Sequence, residues 1–133
     1  MTTPLSDHDC EGQARRILYS LHKLGYAEWL EFEILFFYDL GLPFNAKDEE
    51  VWRFCQENSY LLLTGNRTRK DGDESLHVVL NRLATKDSLP VITVGNPNRV
   101  IKDKTYSDAC AEAIARIILN IELYIGIPRL YIP

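Results

Sequence analysis

The chain has 133 residues, 15 basic and 19 acidic, giving a net charge of −4, with 46% hydrophobic and 26% charged residues. Apolar residues spread along the whole length exclude a disordered chain, and the length suits one domain with a core that needs no staples. The acidic balance excludes nucleic-acid binding through a generally basic surface, so a nucleic acid would have to engage a local basic patch or a metal.

Residues 2–6 predict a short first strand. Residues 10–24 predict a helix: Ala14, Ile17, Leu18, Leu21 and Leu24 share one face, and Gly25 suits its C-cap. Residues 30–38, LEFEILFFY, read as a strand with Leu30, Phe32, Ile34, Phe36 and Tyr38 on one face and Leu35 and Phe37 burying part of the other. Gly41 and Pro43 break it. A helix over 47–58 turns Val51, Trp52 and Cys55 inward, and YLLLT at 60–64 is a buried strand. A polar loop, GNRTRKDGD, leads to a helix over 74–84 with Leu76, Val79, Leu80 and Leu83 inward, then to a strand at 90–94. Residues 105–125 predict the clearest helix, with Ala109, Ala113, Ile117, Ile121 and Tyr124 on one face and a Glu112–Arg116 pair on the other. Residues 128–132 suit an edge strand opened by Pro128. The alternation of helical and strand periods predicts an α/β fold with a mostly parallel sheet in a single domain, 1–133.

Cys10, Cys55 and Cys110 are odd in number and show no C-x-x-C spacing. They read as small buried hydrophobes in a reducing, cytoplasmic setting. The opening MTTPLSDHDC has neither the basic nor the apolar region of a signal peptide. No apolar run approaches the ~18 residues of a membrane span; Ala113 to Ile127 is interrupted by Arg116, Asn120 and Glu122.

Open α/β sheets bind ligands beyond the carboxyl ends of their strands. Asp7, His8 and Asp9 follow the first strand, Asp39 the second, Gly65-Asn66-Arg67 the third and Gly95-Asn96 the fourth. Hard oxygen donors converging there suit Mg²⁺ or Mn²⁺, which acidifies bound water and stabilises charge on a phosphoryl group. Asp and Asn also make turns and caps at strand ends, so the pattern alone leaves both readings open. The chain lacks G-x-x-x-x-G-K-[ST], G-x-G-x-x-G and G-x-S-x-G, hence a phosphate-cradling loop or nucleophile elbow of those types.

Taken together, MTTPLSDHDCEG, LGLPFNAKDEEVWRF, NSYLLLTGNRTRKDGDESL and LPVITVGNP resemble the PIN-like family. More narrowly they resemble a bacterial subgroup that runs acid, long helix, glycine–leucine–proline, D-x-x-[V/I]-W-x-F and L-L-T-x-[D/N]-R. The resemblance spans nearly the whole chain. It implies a PIN-like (Rossmann-like) three-layer α/β/α sandwich around a sheet of four or five strands, and a metal-dependent ribonuclease site of three or four acids. It places the first acid at Asp7 and the second at Asp48. The third, usually the acid of T-x-D, falls on Asn66, an amide that can ligate a metal without charge and so weakens divalent binding. The fourth is Asp71, Asp73 or Glu74. The implied function is Mg²⁺- or Mn²⁺-dependent RNA hydrolysis, attenuated by Asn66. The alternative is an inactive module that binds an antitoxin-like partner protein, with the apolar C-terminal helix offering a face for homo-oligomers.

Each candidate has a plainer reading. Asp7 is a metal ligand or an N-cap, Asp48 a ligand or the acid that favours a helix N-terminus. Asn66 is a ligand or a left-handed turn residue, and Asp73 completes the shell or caps the next helix. Asp39 is a site acid or closes a turn. His8, between two acids, is a proton shuttle or an incidental surface residue. Arg67 and Arg69, with Lys70, contact phosphates or belong to a solvated loop. Arg99, Lys102 and Lys104 make a second basic patch on the loop after the 90–94 strand. Trp29 and Trp52 are expected in the core rather than as base-stacking platforms.

Overall fold

The computed structural model describes residues 2–65 and 76–133. Strands β1 (Thr3–Ser6), β2 (Tyr60–Thr64), β3 (Val91–Val94) and β4 (Arg129–Ile132) pair in that order, all parallel. Leu61, Leu62 and Leu63 of β2 and Val91, Ile92 and Val94 of β3 are each at most 2% exposed. Burial on both faces is what a sheet sandwiched between helices demands. Those helices, among the described residues, are α1 (Glu11–Lys23), α2 (Tyr26–Leu30), α3 (Phe37–Leu40), α4 (Asp48–Asn58), α5 (Leu76–Leu83), α6 (Pro97–Lys102) and α7 (Lys104–Leu119). The fold is mixed α/β, with one parallel sheet in a three-layer α/β/α arrangement, as expected.

The strand period of two sorts the core into two halves. Leu61, Leu63, Ile92, Val94 and Ile132 pack on Ala14, Ile17 and Leu21 of α1, Val100 of α6 and Cys110 and Ile114 of α7. Leu5, Leu62 and Val91 face the other way, onto Val51, Trp52 and Cys55 of α4 and Leu76, Val79 and Leu80 of α5. Trp52 and the three free cysteines are buried as anticipated.

The expected strand at 30–38 is not one. Leu30 ends α2, Glu31 turns into the left-handed region with φ 54°, and Phe37 begins α3. Only Leu35 pairs with the sheet, through a single parallel bridge to Leu5 on the free side of β1. Ser6 N–H donates to the Leu35 carbonyl at 2.8 Å and Leu35 N–H to that of Pro4 at 2.9 Å. The alternation did mark a face, since Leu30, Phe32, Ile34 and Phe36 are all buried together, but Tyr38 is 65% exposed. Asp39 stops the extension by accepting the Phe36 N–H at 2.9 Å, which caps α3.

Three further expectations change. The helix over 105–125 ends as α7 at Leu119, where the Asn120 side-chain amide donates to the Arg116 carbonyl at 2.9 Å, and a 3-10 turn follows at Ile121–Leu123. Its buried face runs through Tyr106, Cys110, Ala111, Ile114, Ile117 and Ile118, and Ala109 points outward. Alanines all around this helix blurred the stripe. The loop after β3 contains α6, started by Pro97 at its first turn and capped by Asn96, whose side chain accepts the Arg99 N–H at 3.2 Å. Trp29 is 66% exposed rather than core. No described helix is long and apolar enough to cross a membrane.

His22, near the end of α1, bridges Glu28 at 2.7 Å and Glu33 at 2.9 Å through its two ring nitrogens. The Glu28 hydrogen bond, with both carboxylate charges, raises its pKa. A raised folded-state pKa contributes stability that is full below the unfolded value and lost as pH rises through the folded one. His22→Gln should therefore lower Tm slightly at pH 5.5 and leave it unchanged at pH 8.5; equal shifts at both values would refute a charged clamp. These side chains are exposed, so the effect is small.

Candidate active site at the β1–β2 crevice

From β1 the chain crosses over one face, through α1 and α2, to Leu35 on one side. It then crosses the opposite face, through α4, to β2 on the other side. The crevice between β1 and β2 is thus a topological switch point, the place where α/β sheets hold ligands.

Asp7 sits at that crevice, just past β1, and is 9% exposed. Its N–H donates to the Leu63 carbonyl at 2.8 Å, which ties it to the end of β2. One carboxylate oxygen, Oδ1, accepts the His8 N–H at 2.8 Å; the other, Oδ2, accepts the Thr64 hydroxyl at 3.1 Å. Asp7 is therefore both the cap of the 3-10 turn His8–Cys10 and the inner acid of the crevice. Burial first, then the negative charges of Asp9 and Asp48, push its carboxyl up from 3.8 to about 7, against the pull of its two hydrogen bonds.

Asp9 joins it from the same turn. Its pKa is raised, chiefly by desolvation, although the Gly65 backbone N–H, the nearby His8 and the Thr64 hydroxyl favour its charged form. Asp48 opens α4, where the helix N-terminus favours a carboxylate, and lies close enough to Asp7 to disfavour its charge. Asp9, from the turn after β1, and Asp48, from α4, thus both press on Asp7 across the crevice. Gly65 lets the end of β2 lie close to α6, since a Cβ there would meet Cγ of Pro97 at 3.2 Å.

The sequence placed Asp7 and Asp48 here; it set Asp9 and Gly65 at strand ends without giving them, or Thr64, a role. The alternation Asp7-His8-Asp9 and the Thr64-Gly65 step at the end of β2 were the available signals. His8 is at the site but turned outward: its Nδ1 is 3.4 Å from a carboxylate oxygen of Glu11, and its ring lies 6.0 Å from Phe37 and 5.7 Å from Phe44. Asp39 serves only as the α3 cap described above. Asn66, Arg67, Arg69, Lys70, Asp71, Asp73 and Glu74 lie outside the described residues. Arg99, Lys102 and Lys104 belong to α6 and the start of α7, and Arg99 is paired with Asp103 at 3.1 Å.

Among the described residues no three His, Cys, Asp or Glu side chains converge as a metal-binding group. Mg²⁺ is commonly held by one or two protein carboxylates, with water filling the rest of its shell. Asp7 and Asp48 offer the right donor type, and the crowding that raises Asp7 is what a divalent cation would relieve. The donor set fits such an ion in charge and hardness. Cys10 is no competitor for soft metals: burial holds its thiol up at about 12, and Sγ donates to the Leu63 carbonyl at 3.2 Å. In comparisons with known proteins, no family model, no curated protein and no solved structure matches this chain.

Proposed function

We propose that the chain is a PIN-like ribonuclease that hydrolyses RNA with Mg²⁺ or Mn²⁺. The reading rests on Asp7: a buried carboxylate at the switch point, raised to about 7 with Asp9 and Asp48 beside it. A buried acid pressed by neighbouring negative charge is costly to the fold, and such groups concentrate where chemistry needs them. A bound divalent cation supplies positive charge to the phosphoryl oxygens and acidifies water in its shell. Asp7 and Asp48 would hold it, Thr64 orients Asp7, and Asp9 adds negative charge on the solvent side. His8 flanks the crevice. Asn66 and Asp73 are assigned to the shell by resemblance, and Arg67 and Arg69 to the phosphate as a basic cluster in the sequence; all four lie outside the described residues. The buried, free cysteines support a reducing cytoplasmic setting.

Calorimetry with Mn²⁺ tests the metal. Asp48→Asn should weaken binding about tenfold, the loss of one of few charged ligands. Parent protein that takes up no Mn²⁺ would rule the reading out.

A second reading, an inactive module that binds an antitoxin-like protein or another copy of itself, draws on a different surface. Trp29, Leu119, Leu123, Ile125 and Ile127 are each at least 40% exposed, an unusual apolar load for the end of a helix and the turns after it. In that case Asn66→Asp would restore metal affinity that the parent lacks.

A further inference from the structure

Away from the carboxylates, a cleft of about 370 Å³ opens between α1, α6 and α7. That volume lies within the roughly 300–1,000 Å³ of small-molecule sites. Arg16, Tyr19, Ser20 and Lys23 line it from α1 at the spacing of one helical stripe, and Lys104 and Ser107 from α7. In a chain with more acids than bases, three cations face this cleft and none of its lining residues is acidic.

The polar groups are fixed in place. The Ser20 and Ser107 residues are 3% and 4% exposed, with their hydroxyls 3.0 Å apart, and the Ser107 hydroxyl donates to the Arg16 carbonyl at 3.2 Å. One Arg16 Nη donates to the Ile101 carbonyl at 3.1 Å, which holds a guanidinium with five donors at the mouth. Asp108 lies 3.0 Å from Lys23, bonds the Ser20 side chain and acts on Lys104 as well, so this one acid is shared by two lysines, and with Arg16 the cleft keeps a net positive charge. Lys104 is the first residue of α7, where the helix dipole disfavours a cation. The Tyr19 ring, 65% exposed, stands beside these groups as an apolar wall.

We propose that this cleft binds a small phosphomonoester, with Arg16 and Lys104 on the phosphate and Tyr19 against the organic part. Arginine suits the bidentate grip on phosphate oxygens and lysine the point charge. The site is separate from the carboxylate crevice and does not depend on the nuclease reading.

Titrating the full chain with AMP, without divalent metal, tests it. AMP should bind saturably, inorganic phosphate should compete and adenosine should not. Arg16→Gln and Lys104→Gln should each weaken AMP about tenfold or more, as expected for losing one charge-assisted contact. Asp7→Asn should bind AMP like the parent, which separates this site from the crevice. No AMP binding by the parent, adenosine binding as well as AMP, phosphate failing to compete, or unchanged affinity in folded Lys104→Gln would each overturn the proposal. Lys104 is exposed at the start of its helix, so that variant tests the site even if losing the Ile101 anchor impairs Arg16→Gln.

Discussion

Under the proposed nuclease reading, Asp7→Asn should abolish metal-dependent RNA cleavage and, in the same protein, raise stability above pH 7. The loss is expected to reach at least about a thousandfold, or on the order of 4 kcal/mol of transition-state stabilisation, if the cation leaves with its buried ligand. The gain follows from linkage. The Asp7 carboxyl is raised from 3.8 to about 7 on folding. Between those values the folded chain keeps a proton that the unfolded chain has released, so stability falls as pH rises from about 4 to about 7 and then levels off. At ~1.4 kcal/mol per unit, the ceiling is roughly 4 kcal/mol. Asparagine never ionises. Its Oδ1 can still accept the His8 N–H, and its Nδ2 can donate to the Thr64 oxygen in place of the bond that Asp7 now accepts. The variant should match the parent in Tm at pH 4 and exceed it at pH 8, by scanning calorimetry. RNA cleavage at the parent rate would remove Asp7 from the chemistry, and equal Tm values at pH 8 would remove the buried charge.

Gly126→Ala should cost about 2–4 kcal/mol, through two mechanisms acting at one atom. Gly126 has φ 93°, a region that side chains rarely occupy, and a Cβ there would lie 2.7 Å from the Lys86 carbonyl oxygen. The opposing backbone is held in place. Gly126 N–H donates to the Ser88 carbonyl at 2.9 Å, and the Ser88 hydroxyl accepts the Thr85 N–H at 2.9 Å. Three residues later β4 begins, so the damage should reach the β3–β4 pairing. Urea unfolding should show a lower midpoint with an unchanged m-value. Gly12, in α1 with open space around it, is the control: alanine there should be neutral or stabilising. Equal effects at both positions would leave no role for the close approach.

The parts of the fold legible from the sequence were those with a strong period and clear ends. The buried runs at Leu61–Leu63 and Val91–Val94 and the Ala14, Ile17, Leu21 stripe fell where expected. The failures have physical causes. LEFEILFFY carries a strand's alternation, but a strand also needs a partner edge. β1 is four residues long, and Asp39 diverts the chain into α3 after one bridge. Helix α6 is six residues long, too short to show a period, and only Asn96-Pro97 signalled it. At the site, Asp7 was readable because it follows a strand, and Asp48 came from the family resemblance. Asp9 was visible at the same strand end but its role was not, because its partnership with Gly65 and Thr64 joins segments more than fifty residues apart. No local pattern reports that distance.

The Thr64 hydroxyl carries one proton, yet both Asp7 and Asp9 draw on it. A single donor cannot serve two acceptors equally at once, so the two acids are not independent sites. Proton uptake in the crevice therefore belongs to the pair rather than to either acid alone.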